Sequence, residues 1–202
     1  MIVDLYGKGR SRCLAELVRT PGFKQLRIYE PGTIGPFRAQ LVGLPYYRQS
    51  DFHPDATRQS ATQALPHQDL QALSWPDRSF DLVITSDVLE HVRHPQRALS
   101  EIARILVPGG YHVCTVPLQD PLRPASVFRV DTSGETDVPL LEERYHGNGK
   151  GGRSLVYTDF GEDLLEMILD TGTSARFERG RTESAIANAA VTVVSWKTPP
   201  RS

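Results

Sequence analysis

Apolar and polar positions along this chain alternate between a helical and a strand period. "RCLAELVRT" sets Leu14, Leu17 and Val18 on one helical face. "QLRIYE" (25–30) reads as a short strand that ends in an acid, and 33–43 as a helix with Phe37, Leu41 and Val42 turned inward. "YYRQSD" (46–51) is a second strand, 52–65 a polar loop with room for one helical turn, and "PHQDL" (66–70) a short third strand. "SFDLVITSDVLEHV" (79–92) opens on an apolar run, the pattern of a fourth strand buried on both faces. The helix that follows has Pro95 in its first turn, a stripe of Ala98, Ile102, Ile105 and Leu106, and "PGG" (108–110) as its stop. "YHVCTVP" (111–117) is the next strand.

Residues 118–157 are rich in Gly, Pro and charge, and read as a long irregular insertion. "TDFGEDLLEMILDTG" (158–172) reads as a helix, with Asp159 and Glu162 at capping-box spacing and Gly172 at its end. "ARFERG" and "AAVTVVSWK" close the chain as two strands, the last one alternating as an antiparallel strand does. This alternation predicts one domain built on an open, mostly parallel α/β sheet.

Such sheets bind ligands beyond the C-terminal ends of their strands. Four successive strand ends here carry polar or acidic groups: Glu30 with Gly32 and Gly35; Asp51; Gln68 and Asp69 with Leu70; and Thr85, Ser86 and Asp87. A carboxylate at the first end can accept both hydroxyls of a ribose, and glycines beyond it let the backbone approach a ligand. Asp51 lies 21 residues past Glu30, close to the spacing at which dinucleotide folds place a ribose-binding acid.

The stretch "DLQALSWPDRSFDLVITSDVLEHVRHPQRALSEIARILVPGGYHVCTVP" (69–117) resembles the second half of the class I S-adenosylmethionine-dependent methyltransferases. It is most similar to their broad small-molecule group, in the acid, the "SFD" opening the fourth strand, "LEH" and "EIARILVPGG". The resemblance implies a single Rossmann-like domain over 1–202: a mostly parallel seven-stranded sheet with helices on both faces, a last strand antiparallel, and a shortened helix between the second and third strands. Residues 1–22 would form an N-terminal helical segment, and the 118–157 insertion would cover the acceptor site.

The resemblance also implies roles. Glu30 would hold the ribose hydroxyls or sit near the methionine end of S-adenosyl-L-methionine, with Gly32 and Gly35 shaping the loop. Asp51 would be the second-strand acid. Gln68, Asp69 and Leu70 would lie against the adenine, Ser86 beneath the sulfonium, and His91 near the methyl-transfer site. The first loop departs from the family pattern. Glycines expected at the second, fourth and sixth positions after the acid are Gly32, Ile34 and Pro36, with Gly35 between them.

A net charge of −1 gives no basic field for a nucleic acid backbone. No "NPPY"-type tetrapeptide follows the fourth strand, where "SDVLE" stands, which argues against the family's nucleic-acid amino-methylating branch. Two cysteines, Cys13 and Cys114, form no CxxC, so a disulfide framework is not expected. No secretory leader is legible, and no run reaches the roughly 18 apolar residues of a membrane helix. The expectation is a cytoplasmic protein acting on a small-molecule acceptor.

A hydroxyl or amine acceptor gives up a proton as it is methylated, and histidine suits that task. His91 is the first candidate and His146, in "RYHGNGKGG" (144–152), the second, with Tyr145 and Tyr157 behind them. Glu90, His91 and His94 straddle a helix start and share no face, and His112 with Cys114 make only two ligands, so no metal is expected. A nicotinamide oxidoreductase fits poorly, because a dinucleotide fingerprint needs glycine before the acid. A non-catalytic domain that keeps the fold but has lost the cofactor is the alternative. Acids at three strand ends argue against it.

Overall fold

The structure, a computed structural model, describes residues 2–7, 13–32, 35, 37–52, 65–118, 121–148, 151–179 and 191–198. Helices α1 (Ile2–Gly7), α2 (Leu14–Leu17) and α3 (Pro21–Lys24) precede β1 (Ile28–Pro31), α4 (Arg38–Leu41), β2 (Tyr47–Ser50) and β3 (Phe80–Ser86). After a 3-10 turn at Leu89–His91 come α5 (Pro95–Ile105) and β4 (Leu106–Thr115). Six short strands follow: β5 (Val127–Phe128), β6 (Val130–Asp131), β7 (Val138–Pro139), β8 (Tyr145–Gly147), β9 (Arg153–Leu155) and β10 (Thr158–Asp159). Helix α6 (Leu164–Leu169) and strands β11 (Ser174–Arg179) and β12 (Val191–Trp196) complete the order.

The main sheet runs β11-β12-β4-β3-β1-β2. Its pairs β2–β1–β3–β4 are parallel, and β12 is antiparallel to both β4 and β11. The expected third strand, 66–70, extends the β2 edge through one parallel bridge, Asp51 to His67. The seventh strand is thus reduced to a single pairing. The polar loop and shortened helix expected between the second and third strands fall mostly on 53–64, outside the described residues.

Alternation along β3 explains why both faces are covered. Val83 joins a cluster with Leu99, Ile102, Leu164 and Ile168 of α5 and α6. Leu82 and Ile84 join the opposite cluster with Ile2, Leu17, Phe23 and Leu41 of α1–α4. In α5, Pro95 opens the helix where its missing N–H costs nothing, and Ala98, Leu99, Ile102 and Ile105 bury one face. The helix ends at Ile105, before "PGG": Leu106 is already extended, and the Lys197 ammonium donates to the carbonyls of Ala103 (2.9 Å) and Leu106 (3.2 Å).

Three local expectations are corrected. Val42 is 55% exposed, because α4 spans only four residues and turns just Leu41 inward. The helix expected from 158 starts at Leu164, and Asp159 lies in β10. There its carboxylate meets two guanidiniums, Arg129 and Arg144, each at 2.8 Å, instead of a helix N–H. The insertion is not irregular. Its strands pair as β5–β10, β6–β7 and β8–β9. It is fastened over the C-terminal end of β3 by Tyr157 N–H to the Glu90 carbonyl (2.8 Å) and by Arg93 to Asp137 (2.5 Å).

Candidate functional site

The first strand end holds Glu30, 1% exposed. Its Oε2 accepts from the Tyr47 hydroxyl at 2.5 Å, while Oε1 has no hydrogen-bond partner among the described residues. Burial raises its pKa, against the pull of the Tyr47 hydrogen bond, the Phe37 backbone N–H and the nearby Arg38. A Cβ on Gly35 would lie 1.9 Å from Glu30 Oε1, so only glycine lets this carboxylate rest where it does. Gly32 has φ 96°, a left-handed conformation suited to glycine, and the space where its side chain would stand is open. An orphaned buried acceptor, packed against Gly35 and two residues before an open glycine, is a candidate for a ligand hydroxyl. Tyr47, which fixes the acid's orientation, had no sequence signal of that role.

The next strand ends are tied into the fold. Asp51 accepts from Phe52 N–H (2.9 Å). Gln68 spends both ends of its amide on Ser74, at 2.7 and 2.9 Å, and Leu70 is buried in the core. Asp69 Oδ1 accepts from the backbone and side chain of Gln71, whose own oxygen accepts from His94 N–H at 3.0 Å. That chain ties the 69–71 loop to the start of α5. Ser86 and Thr115 line a small solvent-open cleft of about 140 Å³, with Ile2, Leu14, Phe37 and Ile84 as apolar wall. Ile2 of α1 and Leu14 of α2 thus form one side of a cleft that includes Ser86. Asp87 follows with φ 51°, a left-handed conformation that Asp tolerates better than most residues.

A second cluster forms under the insertion. The His91 and His146 rings meet edge to face with centroids 5.1 Å apart. His91 comes from the 3-10 turn after β3 and His146 from β8, 55 positions later. His91 Nδ1 is 2.7 Å from the Leu155 carbonyl. A carbonyl can only accept, so Nδ1 carries the hydrogen and Nε2 presents a lone pair. Burial lowers the His91 pKa, disfavouring the charged ring, against the pull of the Leu155 hydrogen bond. Both atoms face the Glu90 carboxylate: Nε2 of His91 is 3.7 Å from Oε1, and Nδ1 of His146 is 3.6 Å from the same oxygen. These separations are too long for hydrogen bonds. Neither Glu90 oxygen has a partner among the described residues, and burial, with Asp87 nearby, pushes its pKa up to about 8. Glu90 entered the sequence reading only alongside His94. The structure puts His146 in that place, and no local pattern links positions 90 and 146.

Residues 40–114 match the family model described as a methyltransferase domain. An uncharacterized methyltransferase of Schizosaccharomyces pombe is 48% identical over 42 residues, 21% of this chain and 15% of that protein's length. The chain therefore spans a small part of that curated relative. Among solved structures, an S-adenosylmethionine dependent methyltransferase from Mesorhizobium loti aligns with TM-score 0.54 and 19% identity, covering 85% of this chain and 91% of its own. The sugar N-methyltransferase KedS8 from Streptoalloteichus aligns with TM-score 0.54 and 17% identity, covering 98% and 93%. At these identities the likeness is one of fold.

Proposed function

We propose that this chain, a class I S-adenosylmethionine-dependent methyltransferase by its fold and its 40–114 segment, methylates an oxygen or nitrogen of a small molecule. When bound, S-adenosyl-L-methionine supplies an electrophilic methyl group that passes to the acceptor as the sulfonium becomes a thioether and the acceptor's proton leaves. Glu30, through its orphaned Oε1, would hold a ribose hydroxyl, with Gly32 and Gly35 giving the close approach. Asp51, Gln68, Asp69 and Leu70 would border the adenine. Ser86, on the cleft wall, would lie beneath the sulfonium. His91 and His146 would face the acceptor, the Nε2 lone pair of His91 being open to a proton.

The supporting observation is the end of β1, where a buried carboxylate keeps one unpartnered oxygen against Gly35, and an open, left-handed Gly32 follows two residues on. A small-molecule acceptor fits the net charge of −1, which offers no field for a nucleic acid. An acceptor nitrogen fits the likeness to a sugar N-methyltransferase. No helix among the described residues is long and apolar enough to cross a membrane.

Calorimetry with S-adenosylmethionine and S-adenosylhomocysteine tests this reading. The wild type is expected to bind either ligand. Glu30→Ala should weaken binding about 10- to 100-fold, since a hydrogen bond to a charged group is worth about 1.5–3 kcal/mol. Absence of binding to both ligands would leave the non-catalytic domain as the better reading.

Gly35→Ala gives a second expected result. Its new methyl group must drive the Glu30 carboxylate off Tyr47. Binding should fall as in Glu30→Ala, and the double variant should bind no worse than either alone, because both changes remove one interaction. Additive losses in the cycle would mean that Gly35 acts independently of Glu30.

A further inference from the structure

We propose that Glu90, His91 and His146 form a binding site for a divalent first-row cation of the zinc class. The argument begins with unshared electron pairs. The carbonyl of Leu155 takes the hydrogen on His91 Nδ1, so Nε2 carries a bare lone pair. Glu90 Oε1 lies 3.7 Å from Nε2 and 3.6 Å from His146 Nδ1, and one ligand atom from each of the three residues lies within 4.8 Å of the others. Three possible ligand atoms thus converge where none hydrogen-bonds another. The Glu90 side chain is 2% exposed, with both oxygens unpartnered among the described residues. Burial disfavours the charge of a carboxyl aimed at two imidazoles, and a cation held between the three groups would offset that cost.

Tetrahedral bonds of about 2.0–2.1 Å set ligand atoms about 3.4 Å apart, so the two separations from Glu90 Oε1 need to close by only a few tenths of an ångström, while the two histidine nitrogens, within 4.8 Å of each other, close further by a turn of the His146 ring. Two imidazoles and one carboxylate suit zinc and its neighbours and do not suit calcium or magnesium, which take oxygen ligands. The Leu155 carbonyl supplies the outer hydrogen bond that metal-binding histidines characteristically make. His146 reaches the site only because β8 and β9 fold over the 3-10 turn. The insertion therefore completes the site.

Three protein ligands leave one or more positions open, as in catalytic rather than structural sites. Resting on the methyltransferase reading above, an acceptor hydroxyl would take such a position, and a cation lowers the pKa of an oxygen bound to it. The imidazole lone pairs would then hold the cation instead of a proton.

The test titrates Zn²⁺ into metal-stripped full-length protein by calorimetry and reads Co²⁺ by visible absorption. One equivalent of Zn²⁺ is expected to bind with a Kd at or below about 1 μM, and Co²⁺ to show a low-symmetry spectrum without thiolate bands. His146→Ala, on a partly exposed hairpin, should weaken Zn²⁺ by about 100-fold, at the top of what losing a ligand's hydrogen-bond partner costs. Glu90→Gln should do the same, and His94→Ala, outside the trio, should leave binding unchanged. Circular dichroism confirms that each variant is folded. Binding that survives in both His146→Ala and Glu90→Gln, or none tighter than about 100 μM, overturns the proposal. S-adenosylhomocysteine binding on the same samples separates the two readings. Cofactor without metal sinks this inference alone, and metal without cofactor sinks the methyltransferase reading alone.

Discussion

Acidification is expected to cost the wild-type protein about 3 kcal/mol more stability between pH 6.5 and pH 4 than it costs His112→Gln. His112 lies in β4, 1% exposed, between β3 and β12. Its ring nitrogens face two hydroxyls, Thr85 Oγ1 at 2.9 Å and Ser195 Oγ at 3.5 Å, and burial pushes its pKa down to about 3. The unfolded chain protonates this histidine near pH 6.5, whereas the folded protein does not until about pH 3. Below pH 6.5 the unfolded state therefore binds more protons, and stability falls by about 1.4 kcal/mol for each further pH unit. The contribution is fully present above pH 6.5 and lost as pH drops toward 3. Glutamine keeps a partner for Thr85 and removes the titration. Urea melts of both proteins at several pH values, plotted as a difference, check this, because carboxylates common to both cancel. A flat difference curve would show that His112 titrates in the fold as it does in water.

Which parts of the molecule were legible in the sequence follows from how each is stabilised. The β3–α5–β4 unit was readable because burial on both faces demands the unbroken run "FDLVIT", and one-sided burial demands the α5 stripe. The insertion read as irregular because strands of two or three residues are too short to show a period, and their pairing partners are distant: β5 with β10, for example. The spacing of Asp159 and Glu162 mimicked a helix cap, but that carboxylate answers to two arginines that no local pattern reveals. His91 and His146 could each be picked out by chemistry and by location in a motif or insertion. That they touch was not readable, since only the β8–β9 hairpin brings them together. The acids and glycines at the strand ends were legible from topology alone, yet Tyr47 and Ser74, which decide where Glu30 and Gln68 point, were not.

The Asp159 carboxylate is expected to hold the insertion in place, so that Asp159→Ala costs about 3–5 kcal/mol. Asp159 and Arg129 are almost entirely buried, with side chains 11% and 9% exposed, and meet at 2.8 Å. Arg144 binds the other carboxylate oxygen at 2.8 Å from a half-exposed position. Removing the carboxylate leaves the Arg129 guanidinium in the interior with the Glu142 carbonyl as its acceptor, and its Nε is already unpartnered among the described residues. An unmatched buried charge costs far more than a lost surface pair. At about 2–4 °C per kcal/mol for a chain of this size, the melting temperature should drop by about 10 °C. Arg144→Ala removes only the exposed partner and should cost less than about 1 kcal/mol. The functional consequence separates the two halves of the site. Arg129 lies in the insertion that presents His146 and the Leu155 carbonyl, and Asp159 in β10, which pairs with it, whereas Glu30 and Gly35 belong to β1 and the loop after it. At a temperature where Asp159→Ala is still folded, S-adenosylhomocysteine affinity should stay within about threefold of wild type, while Zn²⁺ binding and methyl transfer both fall. Equal losses of cofactor and metal binding would mean that the insertion and the sheet unfold as one unit and that the ion pair supports the whole domain.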